Sequence, residues 1–245
     1  MTCPSDTTPL IELSIPPKAV AILKTEGIHT RGDLHRCGPV YAFLLLKAAA
    51  LGVTESLLWR LVQAADTQTH WPPTLAEKQS WHDAIRQHPP VAIFPPTNIM
   101  QSWMAKALDQ ARLALQYQEV PVGAVIVREN TLIAAAHNQC VTHHNVSHHA
   151  EIQALNLAGM VTNNYRLDGC DVYVTLEPCA MCASALIQAR VRRVIFGATE
   201  PKTGAAGSVL NLFNEPKLNA HTACRGGVLA SESQALLQTF FQHRR

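Results

Sequence analysis

Two short segments, His149-Ala150-Glu151 and Pro178-Cys179-Ala180-Met181-Cys182, constrain this 245-residue chain more than anything else in it. Imidazole and thiolate are ligands that zinc favours. A structural zinc site usually fills four protein positions, whereas a catalytic site uses three and leaves one for water. No second Cys-x-x-Cys is present to complete a four-cysteine site, so the count stops at His149, Cys179 and Cys182. Any fold that satisfies this set must bring the two segments together. Pro178 suits the first turn of a helix. That start places Cys179 and Cys182 one turn apart on one face, near the positive end of the helix dipole, where thiolates are stabilised. Ser147 is placed to cap the helix that carries His149, so both ligand sets are expected at helix N-termini. Two thiolates and a neutral imidazole balance the charge of one zinc ion.

Glu151 follows His149 by two residues. It is poorly placed as a fourth ligand if the helix begins there. It is well placed to touch the water in the open position, to take a proton from it and to deliver that proton to a substrate. Either segment alone says less, because a lone Cys-x-x-Cys also suits a redox pair or half of a structural zinc site. Order and context together favour the catalytic reading. His143, His144 and His148 crowd the same segment, but only His149 has the glutamate in register, so the others are read as a polar loop. Cys140, Cys170 and Cys224 are read as buried or incidental thiols, and Glu177 as a brace for the turn before the cysteines.

The proline-rich stretch at residues 89–96 divides the chain, because four prolines in eight residues cannot continue a helix. Residues 1–88 then form a small all-α domain, 89–97 a linker and 98–245 a second domain. In the first, Pro16-Pro17 precedes a helix that stops at Gly27. Thr30 and Asp33 have capping-box spacing, and helices are expected over 41–51 and 55–65. In the second, helices and strands alternate: a helix over 99–118, strands over 121–127 and 131–137 around a turn at 128–130, a helix from about 149, a strand over 171–176, a helix from 178, a strand over 193–196 and a helix from about 231. Such alternation implies a layered α/β sheet.

Charged residues make up 16% of the chain and hydrophobic residues 47%, which excludes a disordered chain and supports a packed core. The net charge of +2 permits nucleic-acid binding without demanding it. The opening residues show no secretory signal. The most apolar run, 41–53, is interrupted by Lys47 and is too short to span a bilayer, so no membrane partner is expected. An odd cysteine count of 7 without a signal favours reduced thiols and a cytoplasmic protein.

The His-x-Glu and Pro-Cys-x-x-Cys pair is itself the known signature of zinc base deaminases. Residues 99–245 resemble the bacterial tRNA-specific adenosine deaminase family across the whole second domain. Its more discriminating segments are Glu119-Val120-Pro121-Val122-Gly123-Ala124-Val125, Tyr173-Val174-Thr175-Leu176-Glu177 and Lys202-Thr203-Gly204-Ala205-Ala206-Gly207-Ser208, with Leu236-Leu237-Gln238-Thr239-Phe240-Phe241 at the end. The resemblance implies a three-layer α/β/α cytidine-deaminase-like fold, one zinc per subunit, and a homodimer with a groove for the tRNA anticodon stem-loop. It implies that Asn138 hydrogen-bonds the adenine, that Val122, Ala150 and Leu176 contact the base, and that Phe240 and Phe241, followed by Arg244 and Arg245, meet loop nucleotides by stacking and charge. The chain departs from the family at Asn145-Val146-Ser147-His148, Thr199-Glu200-Pro201 and Asn219-Ala220-His221, all loops near that groove.

Residues 11–86 resemble the TfoX carboxy-terminal domain, through the segment from Leu23 to Leu34 and through Ala42-Phe43-Leu44-Leu45-Leu46-Lys47. The Gly27-Ile28 turn is similar to a helix–hairpin–helix unit, which approaches a nucleic-acid backbone through its glycine amides. This module balances acidic against basic residues and has no basic run, so a protein-interaction or appended role is equally open. The function expected from the whole is hydrolytic deamination of adenosine to inosine at the wobble position of a tRNA anticodon by a zinc-activated water. The rivals are a deaminase of a free base or nucleoside such as guanine, and an inactive zinc RNA-binding module.

Overall fold

The computed structural model describes residues 6–66 and 72–242, so Trp71, Arg244 and Arg245 lie outside the described residues. These residues form two compact units, one ending at Ile93 and the other beginning at Phe94, a division that falls inside the proline-rich stretch.

The first unit is helical: α1 (Pro17–Thr25), α2 (Arg31–Cys37), α3 (Pro39–Ala48), α4 (Glu55–Ala65) and α5 (Leu75–Gln87). Leu10, Val20, Leu23, Leu34, Leu45 and Leu61 are among the side chains that fill its core. The Thr30–Asp33 capping box forms: Thr30 Oγ1 accepts the Asp33 N–H at 3.1 Å, and Asp33 Oδ2 accepts the N–H groups of His29 and Thr30 at 3.0 and 2.9 Å. The Gly27 N–H donates to the Lys24 carbonyl. The turn amides that such a hairpin could offer to a phosphate backbone are therefore already satisfied within the chain. The helix expected over 41–51 begins earlier, on Pro39 at its first position, and ends before Ala50, which takes a left-handed φ of 57°. Helix α5 was not expected. None of its side chains is fully buried, although Trp81 and Ile85 pack partly buried against Leu58, Trp59 and Val62 of α4, and its start is marked by the Thr74–Glu77 capping box.

The second unit runs α6 (Thr97–Gln116), β1 (Gly123–Arg128), β2 (Thr131–His137), α7 (Ala150–Thr162), β3 (Asp171–Leu176), α8 (Ala180–Gln188), β4 (Arg193–Ala198), β5 (Ala223–Arg225) and α9 (Ala230–Gln242). The sheet order is β2-β1-β3-β4-β5. Strand β1 is antiparallel to β2 and β3, whereas β3, β4 and β5 are parallel. Alternate side chains serve alternate faces. Val172 and Val174 join Ala154, Ala183 and Leu186 of α7 and α8 on one side. Tyr173, Val125 and Ile195 pack with Met100 and Met104 of α6 on the other. Helices on both faces make the three-layer α/β/α arrangement. They also explain why β1 reads as an unbroken apolar run, since both of its faces are buried.

Three details anchor this frame. At Gly123 a Cβ would lie 2.1 Å from the Ala107 carbonyl oxygen and 2.4 Å from the Ala111 nitrogen, so α6 approaches the sheet at a distance only glycine permits. Glu129 and Asn130, both with positive φ, make the tight β1–β2 turn, which leaves Arg128 in the strand. At the far end of β3 and β4, Asp171 receives hydrogen bonds from both Arg192 and Arg193. Among the described residues no helix is long and apolar enough to cross a membrane.

Candidate active site

Open α/β sheets gather ligands beyond the carboxyl ends of their parallel strands, and the candidate residues converge there. Helix α7 begins with His149 as its N-cap and Ala150 as its first residue. Ser147 does not cap it. The Ser147 N–H and hydroxyl both donate to Asn145 Oδ1, at 2.9 and 2.8 Å, in an Asx turn two residues too early. The Ala150 N–H is taken instead by Asn138 Oδ1 at 2.8 Å. Helix α8 likewise opens at Ala180 rather than Pro178, with Cys179 as N-cap. Pro178 lies before the cap, and its carbonyl accepts the Ala205 N–H at 2.8 Å.

These two starts bring His149 Nδ1 to 3.6 Å from Cys179 Sγ and 3.4 Å from Cys182 Sγ. All three ligand atoms lie within 4.8 Å of one another, and among the described residues they are the group that could hold a metal ion. In a tetrahedral zinc site, bonds of about 2.3 Å to sulfur and about 2.0 Å to nitrogen set N···S separations near roughly 3.5 Å. The triad therefore fits zinc by both donor type and spacing.

Donors packed this closely share protons. The Cys179 thiol is pushed down to about 4, first by its hydrogen bond with Cys182 and then by His149. Cys182 is held up by that same bond and by burial. His149 is raised, chiefly by its hydrogen bond with Cys179. A divalent cation replaces such protons, since its thiolate ligands must be ionised.

Glu151 is only 4% exposed, and burial pushes its carboxyl up to about 7. It lines a cavity of about 200 Å³ with Val122, Asn138, Leu176, Glu200 and Thr203, beside His149 and Cys179. A carboxyl poised near neutrality beside a three-ligand metal group suits proton transfer in either direction.

The remaining candidates separate. Val122 and Leu176 stand in the cavity wall. Ala150 does not line it: the residue is fully buried, and its part is the N–H that fixes Asn138. Phe240 is 7% exposed, so its ring is not available for stacking, whereas Phe241 is 52% exposed and meets it edge-on at 5.2 Å. Phe241 lines a cleft of about 680 Å³ with Lys202, Leu237 and Gln238, and this cleft shares Leu176 and Glu200 with the smaller cavity. Arg244 and Arg245 lie outside the described residues. His143 and His144 are exposed, the His143 and His148 rings stand 5.0 Å apart, and none of the three belongs to the ligand group. Cys140, Cys170 and Cys224 stay outside it too. Sequence reasoning missed Glu200 and Thr203 as cavity residues. It also missed the Asn138–Ala150 bond, which spans twelve positions and leaves no local signal.

Residues 98–245 match the MafB19-like deaminase family, and residues 13–80 match the TfoX C-terminal domain. The chain is 40% identical over 143 residues to the tRNA-specific adenosine deaminase of Bacillus subtilis, covering 58% of this chain and 89% of that protein. A solved structure from a study of A-to-I editing by tRNA:A34 deaminases at the wobble position superposes with a TM-score of 0.54. It has 40% identity and covers 56% of this chain and 99% of that one. A guanine deaminase from Nitrosomonas europaea shares the fold at 23% identity and a TM-score of 0.51, over 71% of this chain and 97% of that one.

Proposed function

Because the chain belongs to the MafB19-like deaminase family, and to the tRNA-specific adenosine deaminases whose length it nearly spans, we propose that it deaminates adenosine in tRNA. The reaction is hydrolytic, gives inosine and ammonia, and acts at the wobble position of the anticodon. The observation that carries this reading is Glu151: a buried carboxyl inside a base-sized cavity and against the His149–Cys179–Cys182 group.

One zinc per subunit would be held by His149 Nδ1 and the sulfurs of Cys179 and Cys182. When bound, it supplies Lewis-acid activation of water at neutral pH. Glu151 accepts one proton of the attacking water and delivers it to the ring nitrogen, then takes the second proton from the added hydroxyl and delivers it to the departing amine, which leaves as ammonia. Asn138, with its oxygen engaged by Ala150, presents its amide N–H₂ to an acceptor on the purine. Val122 and Leu176 flank the ring and exclude bulk water. Phe241 offers an exposed ring to a neighbouring loop base, and Lys202 a positive charge to the backbone beside it. A splayed anticodon loop brings its base to such a cavity at low cost.

The enzyme works in the cytoplasm as a homodimer. The exposed apolar side chains of Met160, Val161 and Tyr165, at 77%, 67% and 72% exposure, support a second copy against the end of α7. Light scattering on the full chain should then give a dimer mass. The activity is tested by incubating the zinc-loaded full chain with tRNAs bearing adenosine at the wobble position, beside free guanine, cytosine, adenosine and cytidine. Inosine in the tRNA alone is the expected result. Turnover of free guanine without inosine in tRNA would replace this reading with the free-base one.

A further inference from the structure

We propose that Glu177 is a positioning residue for this reaction: its carboxylate moors the loop 199–208 that forms one wall of the base cavity. The proposal rests on the deaminase reading and extends it to Glu177, which also lines the base cavity but whose carboxylate oxygens are taken up by the loop.

Glu177 follows β3 directly, and its N–H donates to the carbonyl of Ala198, the last residue of β4, at 2.8 Å, which continues the pairing one residue beyond β3. Its side chain then turns into the loop after β4 and is 3% exposed. Oε1 accepts the N–H groups of Ala206 and Ser208 at 2.9 and 3.0 Å. Oε2 accepts the Glu200 N–H at 2.9 Å and the Ser208 hydroxyl. None of the ion pairs among the described residues includes Glu177. The charge is stabilised by backbone and hydroxyl dipoles alone.

Four donors fill the acceptor sites of one carboxylate. Glu177 therefore has no free lone pair for a water proton, which separates it from Glu151. What it holds in place is specific. Glu200 and Thr203 of this loop line the base cavity, and Thr199, Pro201 and Lys202 line the adjoining cleft. The loop is also stitched to the metal-binding turn, through the Ala205 N–H on the Pro178 carbonyl and a β-bridge between Gly204 and Cys179. The fit is tight enough that a Cβ on Gly204 would lie 2.5 Å from both the Glu177 carboxyl carbon and the Glu200 carbonyl oxygen. One buried carboxylate thus sets the distance between cavity wall and metal turn.

The test is Glu177→Gln in the full chain, with steady-state kinetics on an anticodon stem-loop and zinc analysis. The amide keeps the shape and one acceptor oxygen but turns an N–H₂ against backbone donors. Zinc content should stay at the wild-type level. KM should rise about tenfold with kcat within about threefold, because a lost charged acceptor loosens the wall that holds the base, not the proton-transfer group. Gly204→Ala is the second variant. It leaves Glu177 and the ligands unchanged, wedges the loop from the carboxylate, and should reproduce the KM rise. Unchanged KM in both variants overturns the proposal, as does loss of zinc in the glutamine variant with an unchanged KM in Gly204→Ala. A wild type without turnover would instead overturn the deaminase reading itself.

Discussion

Asn138 joins the frame to the chemistry, and two substitutions separate its tasks. Its oxygen accepts the N–H of fully buried Ala150 at 2.8 Å, and its amide lines the base cavity. Asn138→Ala strands that N–H at the head of α7 in a site water cannot easily reach. An unsatisfied buried donor costs about 1–3 kcal/mol, and loss of an N-terminal cap is similar, at about 1 kcal/mol. These are one interaction counted two ways, so the loss is about 2 kcal/mol. For a unit of this size about 2–4 °C of melting temperature follows each kcal/mol. The second unit should therefore melt roughly 4–8 °C lower. The helical unit, which does not contain the residue, should be unaffected in the same calorimetric scan. Asn138→Asp keeps an oxygen on the Ala150 N–H and places negative charge at a helix N-terminus, so stability should hold within about 1 kcal/mol. It replaces the donor facing the base with an acceptor, however, and turnover of the anticodon stem-loop should fall at least about 100-fold. An alanine variant that melts like wild type would refute the capping argument. An aspartate variant with wild-type turnover would refute the donor assigned to the base.

Three further substitutions test the metal, the cleft and the packing of α9. Cys182→Ala removes one ligand from the close His149–Cys179–Cys182 group and should abolish the one zinc per subunit expected of wild type, with metal analysis as the measurement; equal zinc in both proteins would sink the assignment. Phe241→Ala should weaken stem-loop binding by roughly 1–3 kcal/mol with the fold intact. Phe240→Ala should instead destabilise the fold by about 3 kcal/mol, because its ring is buried; unaltered melting there, or unaltered RNA affinity in Phe241→Ala, would reverse their roles.

Much of this was legible before any coordinates, for physical reasons. Strands β2 and β3 are continuous runs bounded by turn residues, and metal ligands of fixed chemistry leave few alternatives. What escaped was non-local or unpatterned. Helix α5 leans on the core through only two apolar side chains one turn apart, Trp81 and Ile85, too few to announce a period. Strand β5 is three residues long and exists by pairing with β4. Ser147 and Pro178 are good local candidates for helix starts, but tertiary partners decided otherwise. Asn138 took over the cap of α7, and the Pro178 carbonyl went to Ala205. The Phe240-Phe241 pair reads the same from either residue, and only the packing of α9 shows which ring is hidden.

The central claim is that Glu151 moves the protons of a hydrolytic deamination, and single-turnover deamination of a matched anticodon stem-loop by Glu151→Gln tests it most directly. Glutamine keeps the size of the side chain but cannot accept the proton of water. Zinc content and stem-loop affinity should match wild type, because the ligands and the cleft are elsewhere. General acid–base help is typically worth about 10²–10⁴ in rate, and one residue here serves several proton steps, so inosine formation should slow by about 10³ or more. A variant within a few-fold of wild type, with zinc retained, would contradict the account.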